Sequence, residues 1–304
     1  MTGNNTGYHV PVLLEASIEG LAIRENGTYI DVTFGGGGHS KRILSDLNEN
    51  GRLIAFDRDA DAHENKIEDP RLTLIKSDFK FIESQIGERD IEPVDGILAD
   101  LGISSHQIDV PDRGFSFRFD APLDMRMNQD ADLSAVEVLN DYPEAEIARV
   151  LRDYGDIRNA RSIASAIVRR RIDQPLTRTK DLEATIAGAV TAKNLNKILT
   201  LVYQAIRSEV NGELDALRAL LLAGNTLIKP GGRFAIISYH SLEDRMVKNF
   251  FRYGNLEQRD DRDVFGRPLS PWKVITRKAI KPTEAEININ PRARSARLRV
   301  AERL

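Results

Sequence analysis

Unbroken apolar runs recur in the first hundred residues, at Thr28–Phe34, Arg52–Asp57, Arg71–Ile75 and Val94–Asp100. They are apolar at consecutive rather than alternate positions, the pattern of strands covered on both faces. Segments with helical spacing, Ser40–Asn48 and Ala60–Ile67, separate the first three. This βαβαβ rhythm predicts an α/β fold with a parallel sheet and right-handed crossovers.

The rhythm stops near Asp112. The stretch from Asp112 to Asp124 reads as an irregular, aromatic-rich loop, and helical patterns follow it. Ser134-Ala-Val-Glu137 has the form of a capping box. Ile147, Val150 and Leu151 share a helical face, as do Ile163 and Ile167. Thr179 is expected to cap a helix over Lys180–Val190, and another helix is expected over Leu195–Val210. The pattern predicts a helical domain at 112–208 inserted between two parts of the α/β domain, 1–111 and 209–304. The second part opens with an amphipathic helix, Glu213–Leu227. A turn at Lys229-Pro-Gly-Gly232, a buried-type strand Arg233–Ser238 and a helix from Ser241 to Arg252 follow. Trp272–Lys278 and Leu298–Ala301 are expected to form a closing antiparallel pair.

The strand at Thr28 runs into Gly35-Gly-Gly-Gly38 and then a helix. Glycine lets the backbone turn sharply and lets a ligand approach it closely. A helix start there aims free N–H groups at whatever lies above it. Asp57 ends the next strand, so the first strand–helix corner of the sheet reads as a nucleotide-type site. The dinucleotide pattern G-x-G-x-x-G fails, because Ser40 or Lys41 stands where its third glycine belongs. No Gly-Lys-Ser/Thr follows the glycines, which excludes a P-loop. A nucleoside cofactor without a pyrophosphate fits better, and S-adenosylmethionine (SAM) is one. Asp57 then suits its ribose hydroxyls, and Asp31 could face its cationic amino acid end. His39 reads as a ligand contact or as a helix N-terminal residue. Asp100, at the end of the fourth strand, points toward the same crevice or caps the following turn.

The 304 residues include 41% apolar and 29% charged positions, which suits a soluble protein with a sizeable core. There is no cysteine, which excludes disulfides, thiolate metal sites and a cysteine nucleophile. The five histidines show no ligand spacing, so no metal is expected. No membrane span and no signal peptide are read, and a cytoplasmic location is expected. Net charge is −3, yet it is unevenly spread. From Lys229 onward there are 17 Lys and Arg against 9 Asp and Glu, a net of +8 that leaves −11 for the rest. A basic C-terminal quarter on an acidic body suggests one face that meets a polyanion, or a solvated, salt-bridged surface.

Several longer motifs resemble the ribosomal RNA small subunit methyltransferase H family, also called MraW. They are His9-Val-Pro-Val-Leu-Leu-Glu15, Asp31-Val-Thr-Phe-Gly-Gly-Gly-Gly-His-Ser40, Phe56-Asp-Arg-Asp59 and Asp100-Leu-Gly-Ile-Ser-Ser105. Further along are Arg113-Gly-Phe-Ser-Phe117, Pro122-Leu-Asp-Met-Arg-Met127, Ile237-Ser-Tyr-His-Ser-Leu-Glu-Asp-Arg245 and Asn290-Pro-Arg-Ala-Arg-Ser295. The chain departs from the family at Gly36, where arginine is frequent, and at His106, where proline is usual. The resemblance implies a class I SAM-dependent methyltransferase, with a Rossmann-like, mostly parallel sheet and an inserted helical domain. It implies methylation of the exocyclic N4 of a cytosine in the decoding region of 16S rRNA, with the small ribosomal subunit as partner. It implies SAM contacts at Gly37, Gly38, His39, Asp57, Phe79, Asp100 and Gln107. Asp100 is then expected to act in catalysis, by accepting the hydrogens of the target amine. Arg113, Arg292, Arg294, Arg297 and Arg299 are candidate RNA contacts. Phe115, Phe117 and Phe119 could stack on RNA, but read more readily as hydrophobic anchors of the insert. Two other readings stand beside this one: a nicotinamide-dependent oxidoreductase, and a non-catalytic RNA-binding assembly module. Oligomeric state is not legible.

Overall fold

The computed structural model describes residues 11–267 and 269–304. His9 and Val10 of the first motif lie outside them. The chain divides into two compact units, one of residues 1–102 with 215–304 and one of Ile103–Leu214. The second unit thus begins ahead of the position expected from the loss of strand patterning and ends beyond it.

The first unit is built on a seven-stranded sheet. Its strands are β1 (Thr28–Asp31), β2 (Arg52–Asp57), β3 (Leu72–Lys76), β4 (Val94–Asp100), β5 (Ile228–Ser238), β6 (Trp272–Val274) and β7 (Arg297–Arg303). Their order is β3-β2-β1-β4-β5-β7-β6. The first five are mutually parallel and the β7 and β6 pairings antiparallel. Consecutive apolar residues go to opposite faces. Ile97, Ala99, Phe234 and Ile236 join one core with Leu217, Leu220, Val247 and Phe250 of two covering helices. Leu98, Ala235 and Ile237 join the other with Leu21, Ile43 and Leu44. The period of two explains why every position of a doubly covered strand is apolar. Strand order reverses between β1 and β4, and the crevice at their carboxyl ends is where such sheets place ligands.

Two local expectations change. Lys229-Pro-Gly-Gly232 lies within β5 rather than ahead of it. The ladder steps from Val94 opposite Ile228 to Gly96 opposite Arg233, so these residues form an insertion in the strand. The third helix is short, Ala60–His63. The chain then turns back, and the Asn65 amide donates to the Gly35 carbonyl at 3.2 Å.

The second unit packs its helices around its own apolar core, which includes Leu123, Leu151, Ile163, Ile186 and Leu199. The Ser134–Glu137 capping box forms. The cap expected at Thr179 does not. Thr179 is the first helical residue, with Arg178 before it. The Asp181 carboxylate takes the N–H groups of Thr177 and Arg178 at 3.1 and 2.9 Å. Thr179 Oγ1 donates instead to the Phe119 carbonyl at 2.6 Å. Phe115 and Phe117 are anchors, but of this unit's own core, with the Phe117 ring 5.3 Å edge-on from Tyr203.

Candidate functional site

The glycine corner follows β1 and is organised by carboxylates. Gly35 and Gly37 have φ of 50° and 74°, in the left-handed region. Gly37 precedes the helix Gly38–Asp46. A Cβ on Gly38 would lie 2.1 Å from Pro11 Cγ, so only glycine fits there. A Cβ on Gly36 would meet nothing within 4 Å, so the corner is open at that point. Asp57, at the end of β2, accepts from the Gly35 N–H at 2.8 Å and from the Asp59 N–H at 2.9 Å. It therefore ties the glycine turn to the next strand, and burial raises its pKa above the usual carboxylate range.

Asp31 takes a different place from the one expected beside a cofactor's cationic end. It is buried, and it accepts from Ser40 Oγ at 2.7 Å and from the Thr33 N–H at 3.1 Å. Its oxygens pin the helix start to the strand. Burial raises its pKa despite these bonds.

Asp100 ends β4 at the same edge of the sheet, and its N–H donates to Thr33 Oγ1 at 2.7 Å. Its side chain keeps 23% exposure. Tyr239, just past the end of β5, donates its hydroxyl to Asp100 Oδ1 at 2.8 Å. His39 Nδ1 lies 3.9 Å from Asp100 Oδ2. His39 Nε2 is 3.2 Å from the Val12 carbonyl, which can only accept, so Nε2 carries the proton. Burial lowers the His39 pKa, against the pull of Asp100 and the Val12 carbonyl. The lowered pKa leaves the ring mostly neutral, so it offsets the Asp100 charge only weakly. Asp100 is accordingly pushed up to about 6, first by burial and further by the Asp31 and Glu243 charges, while His39 and the Tyr239 hydroxyl pull it down. Burial and the Asp100 charge raise Tyr239 far above its ordinary range, so its hydroxyl stays a donor.

Gly37, Gly38, His39, Asp57 and Asp100 thus share the carboxyl edge of the sheet. Phe79 opens a short 3-10 turn after β3 and packs, half-buried, against the sheet core. Gln107 belongs to the second unit, where it is buried and forms a capping box with Ser104. The arginines fare unequally as surface contacts. Arg113 is buried and donates to the carbonyls of Arg126 and Met127 at 3.0 and 3.1 Å, so it braces the 113–127 loop. Arg299 is buried against Asp244, with Nε to Oδ1 at 2.7 Å. Arg297 also reaches Asp244, at 2.9 Å, and stays partly exposed. Arg292 and Arg294 lie in a 3-10 turn, Pro291–Ser295, with Arg294 exposed. Tyr239 lies inside the Ile237–Arg245 motif, but nothing in the sequence marks its hydroxyl. The signal was its position, one residue beyond a parallel strand.

The donor set suits a nucleoside without phosphate. The corner is open at Gly36, one carboxylate ends β2, and a second ends β4. Among the described residues no helix is long and apolar enough to cross a membrane. This sheet order and this crevice define a Rossmann-like methyltransferase of the SAM-dependent class. The profile of the MraW methylase family matches residues 6–304, and the chain belongs to that family. It is 52% identical over 297 residues to ribosomal RNA small subunit methyltransferase H of Flavobacterium johnsoniae, covering 98% of each chain. It is 49% identical to the protein of that name from Bacteroides thetaiotaomicron, covering 97% of each. Among solved structures it is similar to an rRNA methylase from Streptococcus thermophilus, with a TM-score of 0.40 and 12% identity over 97% and 98% of the two chains.

Proposed function

We propose that the chain methylates the exocyclic N4 of a cytosine in the decoding region of small-subunit ribosomal RNA. The family and the names of its relatives support an rRNA substrate. The observation that carries the choice of an amine is the Asp100 carboxylate, hydrogen-bonded to Tyr239 at the crevice edge. Gly37, Gly38 and His39 would line the cofactor's place, and Asp57 would hold its ribose. Phe79 would pack on its adenine. SAM, when bound, supplies an electrophilic methyl group on a positively charged sulfur.

A cytosine N4 lone pair is delocalised into the ring, which makes it a poor nucleophile. A carboxylate that accepts an N4 hydrogen draws the lone pair out of conjugation and stabilises the positive charge that nitrogen gains. The Leu101 and Gly102 carbonyls would hold the second hydrogen. No strong base is needed, because the methylated nitrogen is acidic while it carries that charge. Alignment supplies the largest share of the acceleration, roughly 7–11 kcal/mol in well-oriented systems.

This role requires the ionised carboxylate, so activity should rise with pH and level off. The rate constant kcat/KM for SAM, which reports the free enzyme, should bend near pH 6, where Asp100 titrates. Replacing Tyr239 by Phe removes a bond that favours the charged form, so the bend should move to higher pH. A Y239F profile that coincides with the wild type would show that Tyr239 does not tune Asp100. The assignment itself is tested by transfer from labelled SAM to isolated small subunits, followed by nucleoside analysis. Label should appear in N4-methylcytidine; label confined to a ring carbon or a ribose would refute the assignment.

A further inference from the structure

A pocket of the first unit is lined in part by Tyr239, the residue whose hydroxyl meets Asp100. It is also lined by His240, Ser241, Lys281, Arg294 and Arg297, among others. Tyr239 therefore belongs to both places. The helix Ser241–Tyr253 starts at the pocket. N–H groups of a first helical turn have no intrahelical partner and carry partial positive charge.

The nearby acids are already engaged. Glu243 accepts from the Tyr239 N–H at 3.0 Å and lies 3.0 Å from His240 Nε2. Asp244 is held by Arg297 and Arg299. Lys281 and Arg294 are exposed, and among the described residues neither has a carboxylate within ion-pair distance.

We infer that this pocket binds a backbone phosphate of the RNA next to the target nucleotide. The inference rests on the rRNA reading above and adds the place where the strand is gripped. Two uncommitted cations and a helix start suit a phosphodiester oxygen pair. The shared Tyr239 wall fixes the distance between the gripped phosphate and Asp100. Gripping the backbone beside the site would set the register of an unstacked base without reading its sequence.

The test is the double variant K281Q/R294Q, compared with wild type and with K281R/R294K. Binding of isolated small subunits is followed across salt concentrations, methyl transfer gives KM and kcat, and calorimetry follows adenosylhomocysteine. The glutamine variant should bind adenosylhomocysteine as the wild type does, which shows that the fold is intact. Its KM for subunits should rise about tenfold, and the slope of log affinity against log salt should become shallower by about 1. The charge-conserving variant should keep the wild-type slope. A glutamine variant with wild-type slope and KM would overturn the phosphate pocket. Wild-type protein that binds subunits and loses slope on substitution, yet transfers no methyl group, would overturn the rRNA methylation reading and leave the phosphate grip standing.

Discussion

Replacing Asp100 by Ala should lower kcat roughly 10²–10³-fold, the usual loss when one group positioned for transition-state charge is removed. The carboxylate acts on charge that develops only during transfer, so kcat should suffer more than ground-state binding. Adenosylhomocysteine calorimetry separates the two effects. Near-normal binding with lost turnover places Asp100 in the chemistry, whereas equal losses in both make it a cofactor anchor. D100N is the sharper variant. The amide keeps the volume and an oxygen that the Tyr239 hydroxyl can still meet, but it carries no charge. If D100N retains most of the wild-type kcat, charge stabilisation by this residue is wrong.

Gly38→Ala should cripple the cofactor corner. The added methyl group would stand 2.1 Å from Pro11 Cγ, a ring carbon that cannot swing away. Overpacking of this kind costs about 1–3 kcal/mol. Relief requires the helix start or the Pro11 segment to shift. Either shift moves the N–H groups of the turn, and the His39 ring beside them, out of line. Affinity for adenosylhomocysteine should fall about tenfold to a hundredfold. Gly36→Ala is the internal control, because its Cβ would face open space. The same substitution two residues earlier should cost far less. Equal effects at the two positions would mean that backbone freedom, and not the contact with Pro11, sets the requirement for glycine.

Local order was legible along the chain, and long-range pairing was not. Arg52–Asp57, Val94–Asp100 and Leu195–Val210 have the ends their apolar patterns indicate. In each, periodicity and the flanking polar residues are contained in one short window. The run at Thr28 is shorter as a strand than as a pattern. The strand is assigned only to Asp31, though the Val32 and Phe34 N–H groups still donate to the Leu98 and Phe56 carbonyls at 3.0 and 2.9 Å and both side chains stay buried. Gly35–Gly38 and Asp57 were legible as a corner because β-strand, turn and acid follow each other closely. The Tyr239–Asp100 hydrogen bond joins residues 139 apart, and no spacing rule announces it. Arg113 and Arg299 look like surface cations in sequence. Their burial depends on a loop's carbonyls and on Asp244, partners that only the folded chain brings near. Asp31 reads as a cofactor contact in sequence, and its bond from Ser40 Oγ, which pins the helix start, is added only by the folded chain.

The central claim is that the crevice between the ends of β1, β2 and β4 seats the cofactor with the target base against Asp100. A crystal structure of the protein with adenosylhomocysteine and cytidine tests it most directly. The account predicts the ribose hydroxyls on Asp57, the glycine turn against the amino acid end, and the cytosine N4 within hydrogen-bond distance of the Asp100 carboxylate. A nucleoside seated elsewhere, or a cytosine whose N4 points away from Asp100, would contradict it.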